Sequence, residues 1–150
     1  MEHMSHHPPI SRFLILAGNK KWKFHGYYEY AVKIKSLTGN VVGGQFKGPN
    51  ILEIYNPLKG IFDVIEYTMP TMNISGMLYG KRVIEWEGIC EFKDENNGIY
   101  AYLKFTLASK FYQKFVEPTD IFRGEITQNE KIIHKIYGSP LEKIMFDDEM

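Results

Sequence analysis

The chain holds one cysteine, Cys90, in 150 residues, so no disulfide can close within it and a reducing, cytoplasmic setting is the simplest expectation. Cys90 itself reads as a small core residue, not a nucleophile. Long apolar runs are also missing. The longest, Phe13-Leu14-Ile15-Leu16-Ala17, falls far short of the roughly 20 residues a membrane helix needs. No basic start leads into an apolar stretch, which argues against secretion. Net charge is absent as well: 18 basic and 18 acidic residues give a formal charge of +0. That balance offers no reason for a nucleic-acid partner, and none for a purely electrostatic hold on a membrane. Catalytic signatures are lacking too. There is no Gly-x-Ser-x-Gly elbow, and Gly43-Gly44 has no nucleotide-loop lysine and hydroxyl spacing, so it reads as a bulge or tight bend. No enzyme activity, cofactor or metal is therefore expected. A histidine-dependent hydrolase stays only as an alternative.

What the sequence has in quantity is aromatic side chains, 15% of the residues, a composition that favours strands and large apolar surfaces. Tyr28 to Lys35 alternates, with Tyr28, Tyr30, Val32 and Ile34 on one face and Glu29, Lys33 and Lys35 on the other. Phe13 to Ala17 reads as a buried strand ended by Gly18-Asn19. Lys20-Lys21-Trp22-Lys23 offers either a cationic, aromatic membrane contact or a solvated strand edge. Val41 to Lys47, Ile51 to Tyr55 and Phe62 to Tyr67 are further strands. Arg82 to Phe92 sets Ile84, Trp86, Cys90 and Phe92 opposite Glu85, Glu87 and Glu91, three acids that read as solvated. Asp94-Glu95-Asn96-Asn97-Gly98 is a hairpin turn into Ile99 to Leu107. Phe111 to Glu117 reads as irregular or briefly helical before Pro118. Ile121 to Thr127 and Lys131 to Tyr137 form a last hairpin containing His134, read as structural. Ser139-Pro140-Leu141-Glu142 combines an N-cap, a first-turn proline and a capping-box acid, which predicts a short helix carrying Ile144 and Met145. The fold class expected is all-β. Residues 1–150 form one domain, an antiparallel meander curled into an open sheet or incomplete β-barrel, with a short C-terminal helix.

One string stands apart: Ser5-His6-His7-Pro8-Pro9-Ile10-Ser11. Each proline denies the helical conformation to the residue before it, so the two imidazoles sit on a stiff, extended segment. Neighbours on a regular strand point to opposite faces, so His6 and His7 can share a ligand only where the pleat is broken. Together they would offer several N–H donors to an anion such as a phosphate. A purification-tag remnant, a metal site and ordinary turn packing are the competing readings. Adjacent histidines, however, lack the spacing of converging metal ligands.

The run Glu2-His3-Met4-Ser5-His6-His7-Pro8-Pro9-Ile10-Ser11-Arg12-Phe13 closely resembles the signature of the oxysterol-binding protein family, which reads Glu-Gln-Val-Ser-His-His-Pro-Pro-Ile-Ser-Ala-Phe. Further segments keep the family's order: Phe24-His25-Gly26, Lys33-Ile34-Lys35, Lys47-Gly48, Leu52-Glu53 and Pro70-Thr71, the last with Met69 in place of an asparagine. Gly80-Lys81 with Ile84-Glu85 and Gly88, then Leu103-Lys104-Phe105, Gly124-Glu125-Ile126 and Tyr137-Gly138 continue it. The resemblance implies a nearly closed barrel around a lipid tunnel. It implies a carrier of sterol and phosphatidylinositol 4-phosphate between membranes, with His6 and His7 at the positions that hold the 4-phosphate. The partners expected are a sterol or phosphoinositide lipid and, transiently, a membrane surface, with the protein peripheral to cytoplasmic membranes. The family's lid and its other basic phosphate contacts have no room in 150 residues, so the chain is expected to be a central fragment or a reduced relative. Its exposed sheet edges could then pair with a second copy, and a sheet that serves only as an interaction module is the other alternative. If the histidines hold a phosphate, binding favours their protonated forms. Affinity for an inositol phosphate lipid should then rise as pH falls through roughly 6.5, measured by vesicle binding across that range.

Overall fold

The computed structural model describes residues 1–105 and 120–147. Its strands are β1 (Glu2–His6), β2 (Pro9–Leu16), β3 (Trp22–Ile34), β4 (Val41–Lys47), β5 (Asn50–Asn56) and β6 (Ile61–Tyr67). They continue with β7 (Thr71–Ser75), β8 (Val83–Asp94), β9 (Ile99–Phe105), β10 (Phe122–Gln128), β11 (Lys131–Gly138) and β12 (Ile144–Asp147). All twelve strands belong to one antiparallel sheet with β1 and β12 at the ends of the path. The all-β meander expected from the alternating sequence is the observed architecture, a curled and incompletely closed sheet.

The meander is simpler than its strand count suggests. Glu29 faces Lys47 and Gly26 faces Asn50, so β4 and β5 keep one register along β3 and behave as a single strand interrupted at Gly48-Pro49. Pro49 cannot donate to a ladder, which explains the break. β6 and β7 likewise follow one another, but Asn50 faces Tyr67 while Gly44 faces Met72, a slip of one residue across residues 68–70. The slip keeps Tyr67 and Met72 on the same face although their numbers differ in parity.

That face is aromatic. Phe13 lies 4.9 Å from Phe24 and 5.3 Å from Tyr28, ring centre to ring centre, and Tyr28 and Tyr30 both meet Phe46. Tyr67 bridges Phe24 and Phe92 at 6.1 and 5.3 Å. Phe13 reaches this position across Gly26, where a Cβ would come 3.1 Å from its ring and 2.3 Å from the Pro49 carbonyl. The best-buried cluster is further along the sheet, where Cys90, Phe105, Phe122 and Ile136 pack with Tyr67, Trp86, Phe92 and Leu103. Burial there pushes the Cys90 thiol up to about 11, and its Sγ–H donates to the Thr68 carbonyl at 2.9 Å. A core residue, as read from the sequence, is what it is.

Several local expectations change. Phe13 is buried, but Leu14, Ile15 and Leu16 are 56%, 49% and 61% exposed, because the described residues put no second layer over that end of the sheet. Gly43 and Gly44 make neither bulge nor bend; both sit in regular ladders between β3 and β7. Gly43 instead leaves room for its neighbours, since a Cβ would fall 2.7 Å from Lys35 Cε and 3.3 Å from Asn73 Oδ1. The predicted C-terminal helix is absent. Ser139 Oγ accepts from the Leu141 amide at 3.2 Å and the Ser139 amide donates to the Lys143 carbonyl at 3.1 Å, closing a turn. Residues 144–147 then return along β11 with Ile144 facing Gly138. The same serine and proline that cap helices also make tight turns, and the free edge of β11 decided between them. His134 faces Ile126 of β10, and its ring lies 6.3 Å from that of Phe146 in this strand. The expected segment Phe111 to Glu117 and the end of the Ile99 to Leu107 strand lie outside the described residues.

Phe122 is 1% exposed and Val32 is 71% exposed. Phe122→Ala should cost about 3–5 kcal/mol in urea unfolding, whereas Val32→Ala should stay within about 0.5 kcal/mol.

Candidate functional site

The histidine motif forms the first hairpin. His6 faces Pro9 across β1 and β2, His7 and Pro8 make the turn, and the peptide between them is cis. The register slips between His3 and Ser5, a bulge at Met4 that turns His3 and His6 to the same side. Their rings meet edge to face at 4.7 Å, with His3 Nε2 3.3 Å from His6 Nδ1. His3 Nδ1 lies 3.1 Å from the hydroxyl of buried Ser11. The break in the pleat is therefore real, but it is upstream of the prolines and brings His6 to His3. His7 is exposed, and among the described residues its side chain takes part in no hydrogen bond. His3 is the residue that periodicity could not supply, because a bulge changes which neighbours share a face.

On the opposite face, next to the same hairpin, Arg12 and His25 line two adjoining clefts of about 370 and 460 Å³. Met4, Ile10 and Tyr27 contribute to the first, Glu2 and Lys23 to the second; neither His6 nor His7 lines either one. Glu53 anchors the basic side chains here. Its Oε1 accepts from Lys23 Nζ at 2.7 Å and lies 2.8 Å from His25 Nε2. The Lys23 hydrogen bond, aided by His25 and opposed by partial burial, holds the Glu53 carboxyl below its ordinary value of 4.5. Lys23 thus belongs to a cross-strand ion pair within the sheet, with β2 on one side and β5 on the other, and not to the solvated strand edge expected of it.

The acids of β8 correct a further expectation. Glu85 is 5% exposed, not solvated. Glu87 accepts hydrogen bonds from Lys35 Nζ and, at 2.8 Å, from the Asn73 amide, and these two contacts, Lys35 first, lower its carboxyl from the ordinary range. Glu91 accepts from the Tyr100 hydroxyl at 2.9 Å. Alternation assigned these side chains to the polar face correctly, but that face is partly covered. Among the described residues no three or more histidine, cysteine or acidic side chains converge as metal ligands, and no helix is long and apolar enough to cross a membrane.

A curled antiparallel sheet with an aromatic face and a histidine-proline hairpin at one end defines an open, β-barrel-like all-β architecture. The chain belongs to the oxysterol-binding protein family, whose model matches residues 1–150. Oxysterol-binding protein 9 of Dictyostelium discoideum is 32% identical over 98% of the chain, which spans 33% of that protein's length. The mouse oxysterol-binding protein-related protein 5 is 30% identical over 91% of the chain, and the match takes in 15% of its length. Among solved structures, the ORD domain of Osh1 crystallised with cholesterol superimposes with a TM-score of 0.80 at 21% identity, covering 99% of this chain and 33% of that one. The ORD of Osh3 from Saccharomyces cerevisiae, crystallised with PI(4)P, gives 0.74 at 20% identity, covering 95% and 36%. The chain therefore spans about a third of these solved chains.

A carboxyl whose folded-state pKa is depressed stabilises the fold above its unfolded value, and that contribution is lost as pH falls through the folded one. With a quarter or so of its side chain in solvent, Glu53 should be worth about 1 kcal/mol or less. Glu53→Gln should lower stability by that amount at neutral pH in denaturant unfolding. The difference should fade as the medium is acidified below the ordinary carboxylate range.

Proposed function

We propose that this chain forms the central part of a lipid-binding β-barrel that moves sterol or a phosphoinositide between membranes. The aromatic face from Phe13 through Phe24 and Tyr67 to Phe92 carries this proposal. It continues into Val32 and Ile34, which are 71% and 72% exposed. Apolar surface of that extent is costly in water, at roughly 25 cal/mol per Å², and a sterol ring system or a pair of acyl chains would relieve the cost. Family membership supports the same assignment, as do the relatives crystallised with cholesterol and with PI(4)P. His6 and His7 would receive the phosphate of a phosphoinositide at the turn of the first hairpin, outside the apolar face. The task needs binding and release and no bond-making step. Exchange would take place at the cytoplasmic surface of membranes, with the protein peripheral to them.

The outer strands β1 and β12 have one partner each among the described residues, so pairing of two copies along an edge is a second arrangement open to the chain.

Replacing both histidines, His6→Ala with His7→Ala, should weaken binding to vesicles containing phosphatidylinositol 4-phosphate at least about tenfold. Charge-assisted hydrogen bonds of roughly 1.5–3 kcal/mol each would be lost. Cholesterol uptake from vesicles should be unchanged. Phosphoinositide binding that survives the double replacement would remove the histidines from the site.

A further inference from the structure

The contacts that join Ser11, His3 and His6 have a direction. Ser11 is 5% exposed, and among the described residues its hydroxyl has one hydrogen-bond partner, His3 Nδ1 at 3.1 Å. A buried hydroxyl with a single partner satisfies its own hydrogen by donating, and leaving that hydrogen unpaired is unfavourable. His3 Nδ1 is then the acceptor, so the ring proton of neutral His3 sits on Nε2. That nitrogen is 3.3 Å from His6 Nδ1 and donates to it. With Nδ1 of His6 accepting, its own ring proton sits on Nε2, the nitrogen the hairpin leaves free for a ligand.

We propose that His3 is a positioning residue for the phosphate site. By holding His6 in the Nε2–H tautomer and against the hairpin, it presents a phosphomonoester with a donor, not a lone pair. The reverse sense of the chain would strand the Ser11 hydrogen and turn a bare imidazole nitrogen toward the anion, which repels it. The bulge at Met4 is what makes the arrangement geometrically available, since it puts His3 and His6 on one side of the strand. The inference rests on the assignment of His6 and His7 to a phosphate headgroup, and it adds a residue that does not itself touch the phosphate.

The chemistry selects the test variants. In His3→Gln the amide carbonyl can accept from Ser11 and the amide N–H can donate to His6. His3→Phe keeps a ring against His6 but can do neither. Two probes are used, phosphatidylcholine vesicles containing phosphatidylinositol 4-phosphate and free inositol 1,4-bisphosphate, alongside nitrogen-15 NMR of the His6 ring at about pH 8.5, where imidazoles are neutral. His6 in the unmodified chain should carry its proton on Nε2. In His3→Phe the ring should become a tautomer mixture, and both probes should bind about tenfold more weakly, the effect of losing one orienting hydrogen bond. His3→Gln should restore both readings and the unmodified chain's melting temperature, while His3→Phe, which leaves the buried Ser11 hydrogen unpaired, should melt somewhat lower yet keep its folded circular-dichroism spectrum at the temperature of the binding measurement. Wild-type binding and an unchanged His6 ring in His3→Phe, with binding lost in His7→Ala, would overturn the role of His3 and leave the phosphate site standing. Weakening confined to vesicles would also overturn it, since His3 would then be touching membrane. An unmodified chain that binds neither probe would overturn both.

Discussion

A single sheet has two faces and only one way to protect an apolar one without a second layer, which is to curl until its own side chains meet. Everything described in this chain follows from that constraint. Rings from β2, β3, β4, β6 and β8 touch one another along one face of the sheet. Among the described residues, the curl buries a cluster around Phe122 where β8 to β11 lie side by side. Elsewhere the same face remains partly in water, with Val32 and Ile34 the most exposed of it. Large apolar side chains left at a surface stabilise nothing until something covers them. For the lipid carrier proposed above that would be an advantage, because the energy of covering them would be released only when a ligand is present.

Ser11 and Asn50 are buried on this apolar face, whereas the ion pairs of β3 lie on the opposite one. Glu53 with Lys23 and His25 ties β5 to β3, and Asn73 ties β7 to β8 through Glu87, which Lys35 reaches over β4 and β7, all on the other side of the sheet. Long charged side chains across adjacent strands hold register at modest energetic gain, which suits a sheet whose strands bend at Gly48-Pro49 and slip at residues 68–70. The histidine hairpin sits at the end of this array. Two prolines restrict its backbone, and the contacts of His3 with Ser11 and with His6 join its side chains.

Much of this was legible in residues alone. The two-residue period of Tyr28 to Lys35 and of Arg82 to Phe92 assigns the faces correctly, because a strand in unbroken register has no freedom to do otherwise. The turn at Asp94 to Gly98 follows from its composition, with Asp94 Oδ1 accepting from the Asn97 amide at 3.1 Å. Errors cluster where local chemistry permits two outcomes. Ser139-Pro140 suits a helix cap or a turn equally, and an unpaired β11 edge chose the turn. Glu85 alternates like a solvated acid, yet what lies against its face is set by distant chain.

Fold class, the division into an apolar and a polar face and the extended backbone at His7-Pro8 were determined by sequence, since each depends on periodicity or on the restricted backbone of proline within a few residues. Tertiary structure alone decided that His3 joins His6, that Glu85 is covered and that residues 144–147 form a strand. A bulge, a covering neighbour and a vacant edge are properties of segments brought together from elsewhere in the chain, and no local pattern encodes them.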